Sequence, residues 1–443
     1  MLDKIISNGF CTGCGVCISE DKSHKSFMHE NQNGFLVPNI LNTPRENFKD
    51  MVKVCPFNNQ PAFDVLDEDI LAEYFLSRTK NIDPQIGRFE NLYVGYSNDF
   101  RLTSSSGGIA TFIFQELLRN KIVDRLFIVS EKDGGYCYQL FEDANAIATI
   151  SKTRYIPVTM EMFFEQLDSI EGTIAISGVG CFVKAVRLKQ FYNPKLKEKI
   201  KFLVGIICGG LKSRFFTDYL SQNAGINGVY SNQDYRIKNE KSTSSDYSYG
   251  AFDHNKELHT VRMKSLGDMW GTGLFKSFAC DFCDDVTTEL ADISVGDAWM
   301  KPYVEDGLGT SVIVTRSLIA DTLIKLGVNS KKLTIEELSL TSFKQSQSGS
   351  FNHRHHALQY RVDKVSKMIG FIPYKRKRLF RKSPFLIKMI QNARMKIRME
   401  SIDVWKRTGN VFLFNKEMKY YLVYLRIITK INQKIRKIKH EKK

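Results

Sequence analysis

No stretch of this chain brings together the roughly 20 consecutive charge-free apolar residues that a bilayer-spanning helix needs. Met1-Leu2-Asp3-Lys4 lacks the basic and apolar regions of a secretory signal, so a cytoplasmic setting is expected. Nine cysteines without an export signal argue against a disulfide framework and for metal ligation in a reducing compartment. Acidic residues are scarce in one region only. From Phe371 onward 22 Lys/Arg face 4 Asp/Glu, whereas the rest of the chain is nearly balanced at 42 against 44. The net charge of +16 therefore describes what the tail meets, not the body. With 443 residues, 43% of them hydrophobic and 25% charged, the chain can build two or three soluble domains around a large core.

The thiols are not scattered. Cys11, Cys14 and Cys17 form a C-x2-C-x2-C run, with Gly13 and Gly15 allowing the backbone to turn tightly between them. Bacterial ferredoxins hold a 4Fe-4S cube with such a run and a distant Cys-Pro, which Cys55-Pro56 supplies here. A second complete run is absent, so these residues make the ligand set of one cluster. Zinc usually takes two separated C-x2-C units, which fits this run poorly.

Beyond the cluster segment, a helical stretch is expected near Ile70–Lys80. Asn91–Tyr96 then reads as a buried strand leading into Ser104-Ser105-Ser106-Gly107-Gly108 and a helix carrying Ile109, Phe112, Ile113 and Leu117. Strand, Ser/Gly loop and helix can cradle a phosphate on unpaired amides, although a serine-rich cap is the commoner use of such residues. Leu126–Val129, Thr173–Ile176 and Lys201–Cys208 are further apolar runs between helical segments, as in an α/β body with a buried sheet.

Cys181 and Cys208 end two of these strands, and Cys280 and Cys283 form a C-x2-C pair. Four thiols suffice for a second cluster, but count alone leaves zinc open. Cys137 is left as a structural thiol. Leu318–Gly370 reads as mostly helical, including Leu333–Leu340. His353, His355 and His356 lack acidic partners and read as surface or cap residues. In the tail, Leu422, Leu425, Ile428, Ile431 and Ile435 mark an amphipathic helix over Tyr420–Ile438. Such a helix suits an anionic membrane surface, an acidic partner, non-specific nucleic acid or packing against the body.

Together these features resemble the coenzyme F-420 hydrogenase/dehydrogenase beta subunit family, in a bacterial form with a ferredoxin module in front. The resemblance covers about residues 5–320. It rests on the Cys11–Cys17 run, Asn33-Gly34-Phe35 through Pro38, Cys55-Pro56, Ser104–Gly108, Thr153-Arg154-Tyr155, Gly178–Cys181, Cys208-Gly209, and Cys280 through Asp292-Ile293-Ser294, Asp297 and Trp299. It implies a second 4Fe-4S cluster on Cys181, Cys208, Cys280 and Cys283. It also implies FAD near the Ser/Gly loop, with Ser104, Ser105, Ser106, Gly107, Gly108, Thr111, Lys152, Arg154 and Tyr155 as candidate contacts. Arg154 or Lys152 is expected to bring positive charge to the flavin. The chain departs from relatives at Gly178-Val179-Gly180 before Cys181, at Phe182 after it, and at Gly210, which leaves the acceptor open; the tail lies outside the resemblance.

The expected architecture is α+β/α/β. A ferredoxin-like iron–sulfur domain (1–61) joins an α/β flavin-binding domain (62–320), a helical extension (321–370) and a basic amphipathic helical tail (371–443). The expected function is an oxidoreductase passing electrons between a ferredoxin-like partner and a deazaflavin or organic substrate, with no catalytic residue assigned. The competing reading is a non-catalytic electron-transfer adaptor docking an enzyme or membrane. A zinc-stabilised nucleic-acid binder suits the tail but not the balanced body, so nucleic acid is not the expected partner. Localisation is expected to be cytoplasmic, with peripheral attachment to the inner membrane face left open by the tail.

Overall fold

The computed structural model describes residues 1–150, 152–167 and 169–441. Lys442 and Lys443, the end of the expected tail, lie outside them.

The N-terminal segment contains a helix over Leu2–Ser7, the thiol loop, an antiparallel hairpin of β1 (Phe27–Glu30) and β2 (Leu36–Asn39), and a helix over Phe48–Lys53 that delivers Cys55. Its core is apolar. Leu2, Ile5, Phe10, Val16, Met51 and Val54 are buried, and they share one cluster with Phe282 and Phe371 of the body. The Phe10 ring lies 5.1 Å from both Phe278 and Phe282 and 5.7 Å from Phe371, pinning the segment in place.

A short hairpin, β3 (Asn81–Asp83) and β4 (Gly87–Phe89), leads into the main sheet. That sheet comprises β5 (Asn91–Ser97), β6 (Arg125–Lys132), β7 (Gly135–Phe141), β8 (Ile174–Val179) and β9 (Ile200–Ile206), joined later in the chain by further strands. An insertion of β10 (Ser231–Ile237), β11 (Ser248–Phe252) and β12 (Leu258–Arg262) forms a separate antiparallel sheet. The chain then returns with β13 (Ile293–Asp297), β14 (Ser311–Thr315) and β15 (Leu333–Glu337), giving eight strands in the order β15-β5-β14-β13-β9-β8-β6-β7. The four strands β13, β9, β8 and β6 run parallel at the centre, and the remaining pairings are antiparallel. The all-apolar centre of β14 is buried on both faces, as expected of a strand covered by helices.

Leu333–Glu337 is a strand, not the expected helix. Thr334 and Ile335 are β-branched, and the segment pairs antiparallel with β5 as an edge strand. The helix begins only at Leu340, after the Ser339 cap, whose Oγ accepts from Ser342 N at 3.1 Å.

The basic tail is also not a free face. Helices over Phe385–Thr408 and Val411–Glu441 pack against each other, against Phe275 and against Tyr219 of the helix Arg214–Asn223, burying Ile397, Trp405, Phe414, Met418, Leu425 and Ile428. Arg376 is 1% exposed; it donates to Glu289 at 2.8 and 2.9 Å and lies 3.1 Å from Asp69 and 3.4 Å from Asp284. Lys375 joins Asp284 at 3.0 Å and Arg398 joins Asp281 at 2.8 Å. Cations that look solvent-facing in sequence therefore neutralise buried carboxylates around Cys280–Cys283.

Removing one partner of such a network leaves charges buried and unpaired, so Arg376→Ala is expected to cost about 3–5 kcal/mol in urea unfolding. Burial pushes the Glu289 carboxyl up to about 7 against the pull of Arg376. A carboxylate with a raised folded pKa binds its proton more tightly in the folded chain, so its charge opposes folding mainly above that pKa. The Arg376→Ala deficit should therefore narrow from about pH 8 to about pH 6; a deficit that widens over that range would contradict this assignment.

Candidate redox site at the strand carboxyl ends

The parallel strands all end on one edge of the sheet, where ligands of open α/β folds collect. β5 opens there into the Ser/Gly loop, β8 into Cys181, β9 into Cys208, and β13 ends on Asp297. A cavity of about 700 Å³ occupies this edge. Its walls include Cys11 of the N-terminal loop, Ser104–Ser106, Arg154, Cys208 and Trp270.

Two sets of thiols converge. Cys17 feels the charges of Cys14, Cys11 and Cys55, and Cys181 feels those of Cys283, Cys280 and Cys208, so each set is grouped as the sequence suggests. All nine cysteines are free. Burial pushes the Cys11 and Cys280 thiols up to about 12 and Cys14 up to about 11. Backbone N–H groups already point at sulfur: Gly13 N donates to Cys11 at 3.4 Å, Gly210 N to Cys208 at 3.2 Å, and Leu211 N to Cys280 at 3.2 Å. Cys181 sits in the first turn of the helix Gly180–Tyr192, whose N-terminal dipole favours negative charge.

Among the described residues, Asp253, Glu257 and His259 bring three potential ligand atoms within 4.8 Å of one another.

On the opposite wall, the Ser/Gly loop is held by Ser97 N donating to Gly107 O at 2.7 Å and by Thr153 N donating to Ser105 Oγ at 2.9 Å. Ser104, Ser105, Ser106, Gly108, Thr111, Lys152, Arg154 and Tyr155 line the cavity. Gly107 does not: it packs against the sheet, where a Cβ would lie 2.8 Å from Gly95 O and from Ser311 Oγ. Lys152 pairs with Asp234 at 2.8 Å, and Arg154 lies over the Tyr136 ring at 4.6 Å. Tyr155 packs edge-on against Trp270 at 4.6 Å.

Several site residues escape sequence reading. Arg236 lies over Tyr247 at 4.8 Å and pairs with Asp297 at 2.8 Å, which turns it into the cavity wall. Lys238 donates from Nζ to Ser106 O at 2.7 Å, and desolvation with neighbouring cations lowers it to about 7. Arg236 lies on β10 and Lys238 directly after it, inside an insertion without a motif. Arg354 is buried and donates to Asp285 O at 2.6 Å and to the Cys208 carbonyl, and the thiols of Cys283, Cys208 and Cys280 hold its charge in place. His353 and His355 are likewise not surface residues. His353 Nε2 lies 3.1 Å from Lys276 Nζ, and His355 Nε2 lies 2.9 Å from Asp284 O. Tyr138 stands between the thiol sets: Cys14 and Cys181 both act on its phenol, which donates to Ser177 O at 2.9 Å.

The comparisons with known proteins agree with this geometry. A central sheet flanked by helices, with redox-type thiols at its carboxyl edge, defines an oxidoreductase class. The models of the coenzyme F420 hydrogenase/dehydrogenase beta subunit match residues 92–164 (N-terminal part) and 172–341 (C-terminal part). Together they cover more than half of the chain, which belongs to this oxidoreductase family. A coenzyme F420-dependent sulfite reductase of Methanocaldococcus jannaschii is 20% identical over 362 residues, covering 78% of this chain and 51% of that protein. The chain thus spans about half the length of that curated relative. A chain of the F420-reducing [NiFe] hydrogenase complex from Methanosarcina barkeri, solved in a xenon derivative, superposes with a TM-score of 0.50 at 19% identity, over 65% of this chain and 96% of that one. That likeness supports the fold: a mixed α/β body, to which this chain adds its helical C-terminal region.

The N-terminal loop is welded to this site. Met160 N donates to Cys14 O at 2.9 Å, Met28 N donates to Glu161 at 2.7 Å, and Lys189 holds Glu20 at 2.6 Å. Gly15 makes the weld possible, with φ of +76° and a missing Cβ that would meet Thr159 Oγ1 and lie 2.9 Å from Glu161 N. Gly15→Ala is expected to cost about 1–2 kcal/mol for the left-handed backbone alone. Urea unfolding with limited proteolysis should show the N-terminal segment loosening first; an unchanged midpoint and cleavage pattern would contradict this role.

Proposed function

We propose that this chain is an iron–sulfur flavoprotein that moves electrons between a ferredoxin-like carrier and a deazaflavin or organic acceptor. The observation that carries the reading is two groups of four thiols, with Cys11 of one and Cys208 of the other on the wall of a single cavity that the Ser/Gly loop, Lys152, Arg154 and Arg236 also line. Cys11, Cys14, Cys17 and Cys55 would hold one 4Fe-4S cluster, and Cys181, Cys208, Cys280 and Cys283 the other. FAD would lie along the Ser/Gly loop. Three buried polar atoms in that wall have no partner of their own: Ser106 Oγ, Arg154 Nε and Arg236 Nε. They fit the anionic and polar edge of a dinucleotide. When bound, the clusters supply one-electron transfer and the flavin supplies exchange between one-electron and two-electron chemistry.

The residues of the chain do the positioning. Ser105 fixes the loop to Thr153, and Arg236 is held towards the cavity by Asp297. Arg154, kept planar against Tyr136, and Lys152 bring positive charge to the same place. Arg354 neutralises the second thiol set, which would carry net negative charge with a cluster bound. Partly buried Tyr138, stacked on buried Phe127 at 4.8 Å, stands near Cys14 and Cys181 on the cavity wall. Membership of the family supports an electron-transfer role, and the likeness to F420-dependent proteins makes F420 the first acceptor to try.

Anaerobic purification with iron, acid-labile sulfide, zinc and flavin measured per chain tests the reading. About eight irons and one FAD are expected. Cys11→Ser and Cys280→Ser should each remove about four of those irons, independently of one another. Four irons without flavin would reduce the chain to a one-cluster adaptor, and zinc without sulfide would overturn the proposal. Arg236→Lys should retain more flavin than Arg236→Ala, because only the former keeps a cation opposite Asp297. Arg154→Ala is expected to lower flavin content or turnover; if both stay unchanged, Arg154 has no part in the site.

A further inference from the structure

The final helix, Val411–Glu441, carries two apolar rows, and only one is used. Phe414, Met418, Leu425 and Ile428 bury into the body. Tyr420, Tyr424, Ile427, Ile431, Ile435 and Ile438 recur at helical spacing on a second row, and all are exposed, from 39% at Tyr424 to 75% at Tyr420. Exposed Lys416, Lys419, Lys430 and Lys434 border this second row on the flank away from the body. Of the two acidic residues in the helix, Glu417 and Glu441, Glu417 is tied to Arg407 at 2.6 Å. No helix of the described residues is long and apolar enough to cross a membrane.

We propose that this row lies on an anionic lipid surface as an interfacial helix. Ring-bearing Tyr420 and Tyr424 and the isoleucines would enter the headgroup boundary, while the lysine stems run along the apolar stripe and leave their ammonium groups among lipid phosphates. A second copy of the chain fits less well, because a two-fold pairing along this row brings the lysine borders of both helices together and sets Lys434 in the seam. The family match ends at residue 341, so the surface is an addition of this chain to the shared body. The inference is independent of the redox reading, since it uses no residue of the cavity.

Flotation of the full, anaerobically purified chain with vesicles tests it. Binding is expected to vesicles containing phosphatidylglycerol and to be weak for phosphatidylcholine alone, with loss at high salt. Lys430→Gln and Lys434→Gln should each weaken binding about fivefold. Ile427→Glu with Ile431→Glu should abolish binding while leaving iron content and the unfolding midpoint unchanged, because both side chains point to solvent. Absence of binding to phosphatidylglycerol vesicles, or binding that survives the double glutamate variant, overturns the proposal. So does a concentration-dependent dimer that the same variant dissolves, which would assign the row to a second copy.

Discussion

Charge burial around Cys280–Glu289 is the constraint on which the rest of the structure depends. Asp281, Asp284, Asp285 and Glu289 are all buried in a short loop that also carries two thiols. Ionised carboxylates can be taken out of water only with close, well-bonded partners. The partners come from distant parts of the chain: Lys276 beside the loop, and Lys375, Arg376 and Arg398 from the far end. Lys184 and Glu68, 3.1 Å apart, link the same network to the helix that follows the N-terminal segment. The loop thus keeps its thiols in register only when residues some ninety to one hundred and twenty positions later have folded onto it. The C-terminal region acts as the lid of the second thiol set, and its early basic residues are structural.

This changes how the excess positive charge is to be read. Part of it compensates carboxylates, and part of it faces the thiols. Arg354 has no acidic hydrogen-bond partner; its guanidinium rests on two carbonyl oxygens beside sulfur. A cation in that position suits an anionic centre better than four neutral thiols. Burial holds the Cys11 and Cys280 thiols well above neutrality, so ligation must displace protons from them and offset their desolvation. Arginine, helix dipole and backbone amides all lower the cost of that step.

Strand positions were legible in the sequence because buried parallel strands are continuous apolar runs, and β5, β6, β8 and β9 fall where those runs lie. The thiol spacing of Cys11–Cys17 was legible because a short loop encodes its own geometry. The grouping of Cys181 with Cys208, Cys280 and Cys283 came from the family resemblance and not from spacing, since it depends on strand order in the sheet. Arg236 and Lys238 had no signal either: they lie on a three-stranded insertion, and only the folding of that sheet against β13 brings them to Asp297 and Ser106. Leu333–Glu337 was misread because a five-residue edge strand and a helical turn share the same apolar count. The histidines were misread because local sequence does not reveal that Asp284 and Lys276 approach from elsewhere.

The tail shows the same limit from the other side. Its apolar positions predict one stripe, yet the final helix has two rows about a third of a turn apart, one of which packs against Tyr219 and Phe275. A helix that only packed against the body would need a single row and would place polar residues on the remainder of its surface. Ile427 and Ile431 break that rule without helping the fold, since both are exposed. Exposed apolar surface of this extent is costly in water and is retained where something covers it. The lysines beside it fix the sign of that covering surface, and Glu417 does not offset them because it is paired with Arg407. Compensation of buried acids accounts for the first part of the tail; it does not account for this last helix.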